Sequence, residues 1–148
     1  MPILTRAIQA EGALVEVRVG WSATEVRNLR AALRPVPPPV DARAILDTGA
    51  EATCIDEALV RALGLPMGDV VLANLPAAGG LTGGIQHDVR LTIVHPSGDV
   101  AQDFTVADLV IIELPLATIG YQVVIGRDLL RRCLFVFNGP GDQFTLSY

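Results

Sequence analysis

The chain contains no lysine, and all eleven of its basic residues are arginine. That absence excludes a phosphate loop built on Gly-Lys-Ser/Thr, a pyridoxal Schiff base and a Ser-Lys dyad, each of which needs a primary amine. Cysteine is almost as scarce. Cys54 and Cys133 are too few for a disulfide framework, and with His87 and His95 they show no metal-ligand spacing, so both read as buried thiols. Aromatic residues make up only 5% of the chain, which leaves the core to aliphatic side chains. No long uncharged apolar run occurs either. The longest apolar stretch, Val106 to Ile125, is broken by Asp108, Glu113 and Pro115, which argues against a membrane span. Met1 to Glu11 carries no apolar segment of the secretory kind, and the expected location is cytoplasmic. A net charge of −5 without a basic run argues against nucleic-acid binding.

What is present is 148 residues with a hydrophobic fraction of 51%, enough for one domain with a real core. The surplus of apolar residues suits a subunit interface. Abundant Ala, Arg, Gly and Pro without lysine fits a GC-rich bacterial genome. Ala13 to Val19 alternates with the period of a half-buried strand. Ser22-Ala23-Thr24-Glu25 then matches a capping box, and Val26, Leu29 and Leu33 share one face of a helix predicted from Ala23 to Leu33. Pro35, Pro37, Pro38 and Pro39 end it. A second short helix is predicted after Asp56-Glu57, closed by Gly64 and Pro66. Val70 to Leu75 and Ile85 to Val94 form a long hairpin around a glycine-rich tip, with His87 exposed near its base. Strands follow over Val100 to Val106, Val110 to Ile112 and Gln122 to Ile125, with a loop from Pro115 to Tyr121. A terminal hairpin joins Leu134 to Phe137 with Phe144 to Tyr148.

The residue that demands explanation is Asp47. Ala44, Ile45 and Leu46 form the short apolar run of a strand buried on both faces, and Asp-Thr-Gly interrupts it. An unpaired buried carboxylate is costly, so this one needs donors around it or a second acid sharing its proton. Gly49 permits an unusual turn, and Thr48 offers a short hydroxyl. Such a stretch can hold an acid at the floor of a cleft.

Asp47-Thr48-Gly49-Ala50 after an apolar strand resembles the active-site loop of the aspartic proteases, in its retroviral form. Val123 to Leu130, V-V-I-G-R-D-L-L, is similar to the retropepsin segment in which apolar residues and a glycine precede Arg-Asn or Arg-Asp and a short helix. Between them, Gly79-Gly80-Leu81-Thr82-Gly83-Gly84-Ile85 resembles the retropepsin flap, with Thr82 as one residue beyond the retroviral spacing. The resemblance covers Ala44 to Cys133. It implies an all-β, closed-barrel, single-domain fold over residues 1–148 with a flap hairpin and two or three short helices. Residues 1–40 would supply an N-terminal strand, an additional helix and a Pro-rich connector, 41–133 the active-site core and 134–148 the C-terminal hairpin. Retroviral enzymes lack the helix near residue 23, and packing is its default role.

Aspartic protease chemistry needs two carboxylates that share one proton. This chain has one Asp-Thr-Gly, so the second Asp47 would come from an identical subunit, in an obligate homodimer acting on an extended polypeptide. The resemblance implies no metal and no organic cofactor. It further implies that Thr48 interlocks with its symmetry mate, and that Gly49, Gly126 and Arg127 support the site. Ala50, Glu51 and Val124 would border the substrate, with Gly79, Gly80, Leu81, Gly83 and Gly84 closing over it. Glu51 would pair with Arg127. A second function class stays open, a dimer of the same fold that binds a peptide or scaffolds a partner without cutting. The intact Asp-Thr-Gly and the flap-like loop favour the enzyme.

Overall fold

A computed structural model describes residues 1–75, 80–116 and 120–148. Ten strands and three short α-helices make up these residues. β1 is Ile3–Ala7, β2 Leu14–Trp21, α1 Ala23–Ala31 and β3 Val40–Leu46. Next come β4 Cys54–Asp56, α2 Glu57–Leu63, β5 Val70–Leu75 and β6 Gly80–Ile93. β7 is Phe104–Leu114, β8 Val123–Ile125, α3 Arg127–Leu130, β9 Leu134–Asn138 and β10 Gln143–Ser147.

Strand order β2-β3-β8-β4-β7-β6 closes on itself through a β2–β6 pairing, so six strands form a barrel and β5 extends it from β6 as an edge. Closure removes the exposed edges that an open sheet of these strands would carry. Alternation directs one side of each strand inward: Val15, Val17 and Val19 of β2, Ala42, Ala44 and Leu46 of β3, and Val89, Leu91 and Ile93 of β6 are all buried. The core is aliphatic, as the shortage of aromatics requires, with Phe144 its one fully buried ring among the described residues.

The two capped helices follow their sequence signals. Ser22 Oγ accepts from Glu25 N–H at 3.1 Å, and Asp56 Oδ1 accepts from Ala58 N–H at 2.9 Å at the start of α2. Gly64 ends α2 in the left-handed conformation. Three expectations change. The first helix stops at Ala31, and Leu33, with φ +54°, turns away and is 95% exposed, so Leu29 is the helix residue that is buried. The strands expected over Val100 to Val106 and Val110 to Ile112 are one strand, β7. It is preceded by a 3-10 turn at Val100–Gln102, because the Asp99 carboxylate takes the Ala101 N–H and favours the turn. Finally, Ile3–Ala7, which has no strong alternation, becomes strand β1 by pairing with β10 in a separate sheet ordered β1-β10-β9.

Candidate functional site

Asp47 sits directly after β3, a strand flanked by β2 on one side and β8 on the other. Its N–H donates to Ile125 O at 3.0 Å, which ties the end of β3 to the end of β8. The chain then turns sharply: Gly49 N–H donates to Asp47 Oδ1 at 2.8 Å and Ala50 N–H to Asp47 O at 3.2 Å. One carboxylate oxygen is thereby held by a backbone donor, and Oδ2 has no protein partner among the described residues. Asp47 is half-buried, Thr48 and Gly49 are exposed, and Ala50 is buried. A half-buried carboxylate with one oxygen fixed and the other available can accept a proton or a water molecule.

The loop is held from below by α3. Arg127 N–H donates to Ala50 O at 2.9 Å and Asp128 N–H to Glu51 O at 3.3 Å. The Asp128 carboxylate accepts from Thr53 N–H at 3.0 Å, Thr53 Oγ1–H at 2.8 Å and its neighbour Leu129 N–H at 2.8 Å. Thr53 Oγ1 in turn accepts from Gly126 N–H at 3.2 Å. Gly126 is required by proximity, since a Cβ there would lie 2.6 Å from the carbonyl carbon of Ala52. The expected Glu51–Arg127 ion pair is absent; among the described residues Arg18 pairs with Asp41, and the His87 ring contacts the Glu113 carboxylate. Both Glu51 and Arg127 are exposed, where pairing contributes little, and their backbones make the docking contacts instead. Thr53 and Asp128 were not anticipated as supports, because 75 residues separate them.

Ala50 and Val124 lie in one apolar cluster with Cys54, Leu114 and Leu116, packed against Ile45, Ile112 and Tyr121. Burial, with the charges of Asp128 and Asp47 adding to it, pushes the Cys54 thiol up to about 11, so it stays protonated and unreactive at neutral pH. Burial, and then the Asp47 charge, likewise push the Tyr121 phenol upward. Tyr121 is a site neighbour that no periodicity or motif singles out.

The glycine-rich segment lies elsewhere than expected. Leu75 pairs with Gly80, Leu72 with Gly83 and Val71 with Gly84, so Gly80, Leu81, Gly83 and Gly84 belong to the returning strand β6. The connection between the strands falls at 76–79, and Gly79 therefore lies outside the described residues. Gly84 is buried against β7, and a Cβ there would collide with the Ile112 side chain, which explains a glycine at this point of the strand. Leu81 is 76% exposed. His87 is not exposed but buried, with both ring nitrogens in hydrogen bonds. Among the described residues no group of three or more His, Cys, Asp or Glu is arranged to hold a metal ion, and no helix is long and apolar enough to cross a membrane.

The family model described as retroviral aspartyl protease matches residues 11–136. Among solved structures, a retropepsin-like aspartic protease from Rickettsia conorii is similar with a TM-score of 0.58 and 15% identity, covering 99% of this chain and 90% of that one. At that identity the likeness concerns the fold. The EIAV protease complexed with the inhibitor HBY-793 aligns with a TM-score of 0.39 and 18% identity over 62% of this chain and 76% of that one. No curated protein matches the chain significantly.

Proposed function

Because the chain belongs to the retroviral aspartyl protease family, we propose that it is an aspartic endopeptidase in which two Asp47 carboxylates, one from each subunit of a homodimer, hydrolyse a peptide bond. The observation that carries this reading is the state of Asp47. It closes an interior strand, one oxygen is pinned by Gly49 N–H, and the other is left for chemistry. One carboxylate of the dyad takes a proton from water as that water attacks the scissile carbonyl. Its protonated mate donates a hydrogen bond to the developing oxyanion, and the proton taken from water passes to the leaving amine. No step requires a metal or cofactor. Ala50 and Val124 border the cleft in this reading, Thr48 and Gly49 shape the dyad, and the β5–β6 hairpin covers the substrate.

The second subunit is supported by the β1-β10-β9 sheet. Ile3, Leu134 and Val136 lie on one face of it and are 58%, 64% and 47% exposed. Ser147, between Ile3 and Leu134 in register, has a buried hydroxyl without a partner among the described residues. β1 and β9 are the sheet's edge strands. An apolar face, an open edge and an unsatisfied polar group together favour cover by a second copy.

The test is digestion of a proteome-derived peptide mixture by the purified protein at several pH values, alongside Asp47→Asn and Val136→Asp variants. Asp47-dependent cuts that disappear when Val136→Asp yields monomers support the reading. Cutting by a sedimenting monomer would overturn it, because a monomer holds only one such acid. Peptides bound but uncut by the wild type would point instead to a binding dimer of the same fold.

A further inference from the structure

His87 lies on β6 three residues beyond Gly84, and its side chain is only 3% exposed. Nδ1 is 2.8 Å from the Pro66 carbonyl oxygen, and Nε2 is 2.6 Å from Glu113 Oε2. A carbonyl oxygen only accepts, so Nδ1 must carry a proton. An ionised carboxylate also only accepts. A neutral imidazole has a single N–H and can serve one of the two. Both bonds exist together only when an additional proton is shared between Nε2 and Oε2.

The three groups come from three parts of the chain. Pro66 lies on the connection that leads from α2 into β5, His87 on β6 and Glu113 on β7. The same connection is tied to β6 by Gln86 N–H donating to Asp69 O at 2.8 Å. A cavity of about 350 Å³ opens beside His87, lined by Glu25 of α1, Asp69 of the connection, Asp88 of β6 and the apolar Met67 and Val110. Every charged group that lines it besides His87 is an acid, and Glu113 faces the ring from β7.

We propose that His87 is a positioning residue for the β5–β6 hairpin, a proton-dependent latch that ties the connection entering β5 to the β6–β7 pair, whose strands are already joined through the backbone from Ile85–Glu113 onward. The latched state binds one more proton than the released state, so low pH favours it and rising pH removes it. Once the proton leaves, the ring keeps either Pro66 or Glu113, and the hairpin's foot is held by one bond fewer. The consequence for turnover rests on the hairpin covering the cleft as proposed above; the latch itself does not.

Hydrogen exchange of the β5 and β6 amides, corrected for the intrinsic pH dependence of exchange, tests this on the intact protein. In the wild type, protection should fall roughly tenfold or more across a one-proton transition as pH rises, as expected for loss of a charge-assisted bond. Glu113→Gln should abolish that transition and stay protected. Its amide NH₂ can donate to Nε2 of a neutral ring whose Nδ1–H still serves Pro66. His87→Phe should be poorly protected at every pH. Protection in the wild type that is flat with pH, or a Glu113→Gln variant that keeps the wild-type transition, would overturn the latch. In parallel, the alkaline limb of kcat/KM for peptide cleavage should move to higher pH in Glu113→Gln. If the exchange transition is missing while Asp47-dependent cleavage persists, the latch falls and the protease reading stands. If no peptide is cut but the transition appears and vanishes as described, the latch stands and the protease reading falls.

Discussion

The loop carrying Asp47, the floor of the proposed cleft, and the foot of the β5–β6 hairpin are fastened by different contacts. Below Asp47, the Asp128 carboxylate collects Thr53 N–H, Thr53 Oγ1–H and Leu129 N–H, and the Ala50 and Glu51 carbonyls accept from α3. Each of those donors is a backbone amide or hydroxyl that keeps its proton at any ordinary pH, so the floor is permanent wherever Asp128 is ionised. At the hairpin's foot β6 is paired to β7 through the backbone, and an imidazole between two acceptors adds contacts that, in the proposed latch, need a proton that solution can remove. His95 sharpens the contrast. It is equally buried, yet its Nδ1 accepts from Ser97 N–H at 3.2 Å while Nε2 lies 3.1 Å from the Ile3 carbonyl, so a neutral ring satisfies both contacts. Fixed donors hold the loop that carries Asp47, and in the proposed latch a titratable one adds to the hold on the hairpin's foot.

The largest effect should come from the floor's own acid. Asp47→Asn is expected to lower peptide hydrolysis by about a thousandfold or more while thermal unfolding stays near that of the wild type. Measurable wild-type turnover in that variant would remove Asp47 from the chemistry. Asp128→Ala comes next. It strands the buried Thr53 N–H and hydroxyl, so urea unfolding should show a loss of roughly 2–4 kcal/mol. A loss under about 0.5 kcal/mol would mean that the floor is not held by this carboxylate.

Gly126→Ala forces a Cβ against the Ala52 backbone, which cannot move aside as a side chain would, and is expected to cost about 1–3 kcal/mol. Gly84→Ala meets chiefly the Ile112 side chain, with the Glu113 carbonyl oxygen 3.3 Å away, whereas Gly126→Ala meets backbone alone, so Gly84→Ala should cost less stability than Gly126→Ala while reducing turnover. The reverse order would show that the hairpin, not the loop, is the more tightly fitted element. The smallest effect belongs to a pair remote from both regions. Arg18 Nε is 2.7 Å from Asp41 Oδ1 on the exposed side of β2 and β3, and Arg18→Ala should change stability by less than about 0.5 kcal/mol. The hydrogen bond from Arg18 holds the Asp41 carboxyl below its ordinary range, so whatever the pair contributes is present above the ordinary Asp pKa. It is lost as pH falls through the lowered one. A pH-independent difference between wild type and variant would contradict that sign.

Much of this protein is legible without coordinates because its signals are local. The Ala44-Ile45-Leu46 run before Asp-Thr-Gly, the Ser22 and Asp56 caps, the turn chemistry at Asn138 to Asp142 and the Gly126 start of α3 each need only a few consecutive residues. Their consequence depends on nothing far away.

Tertiary structure alone decided the rest, wherever a residue's meaning lies in a partner distant in sequence. Ile3–Ala7 becomes a strand because β10 lies beside it, 140 residues on at the Thr5–Thr145 contact. The glycine-rich segment moves from tip to strand because Gly80 to Gly84 pair with Leu75 to Val71 of β5. Asp128 becomes the anchor of the floor through Thr53, and His87 turns from an expected surface residue into a buried one through Pro66 and Glu113. Periodicity reports which side of an element is apolar, but it carries no record of which acceptors will face a given nitrogen. Pairing of β6 with β7 brings Glu113 to His87, and the connection after α2 brings Pro66, and those long-range placements are fixed by the whole core at once.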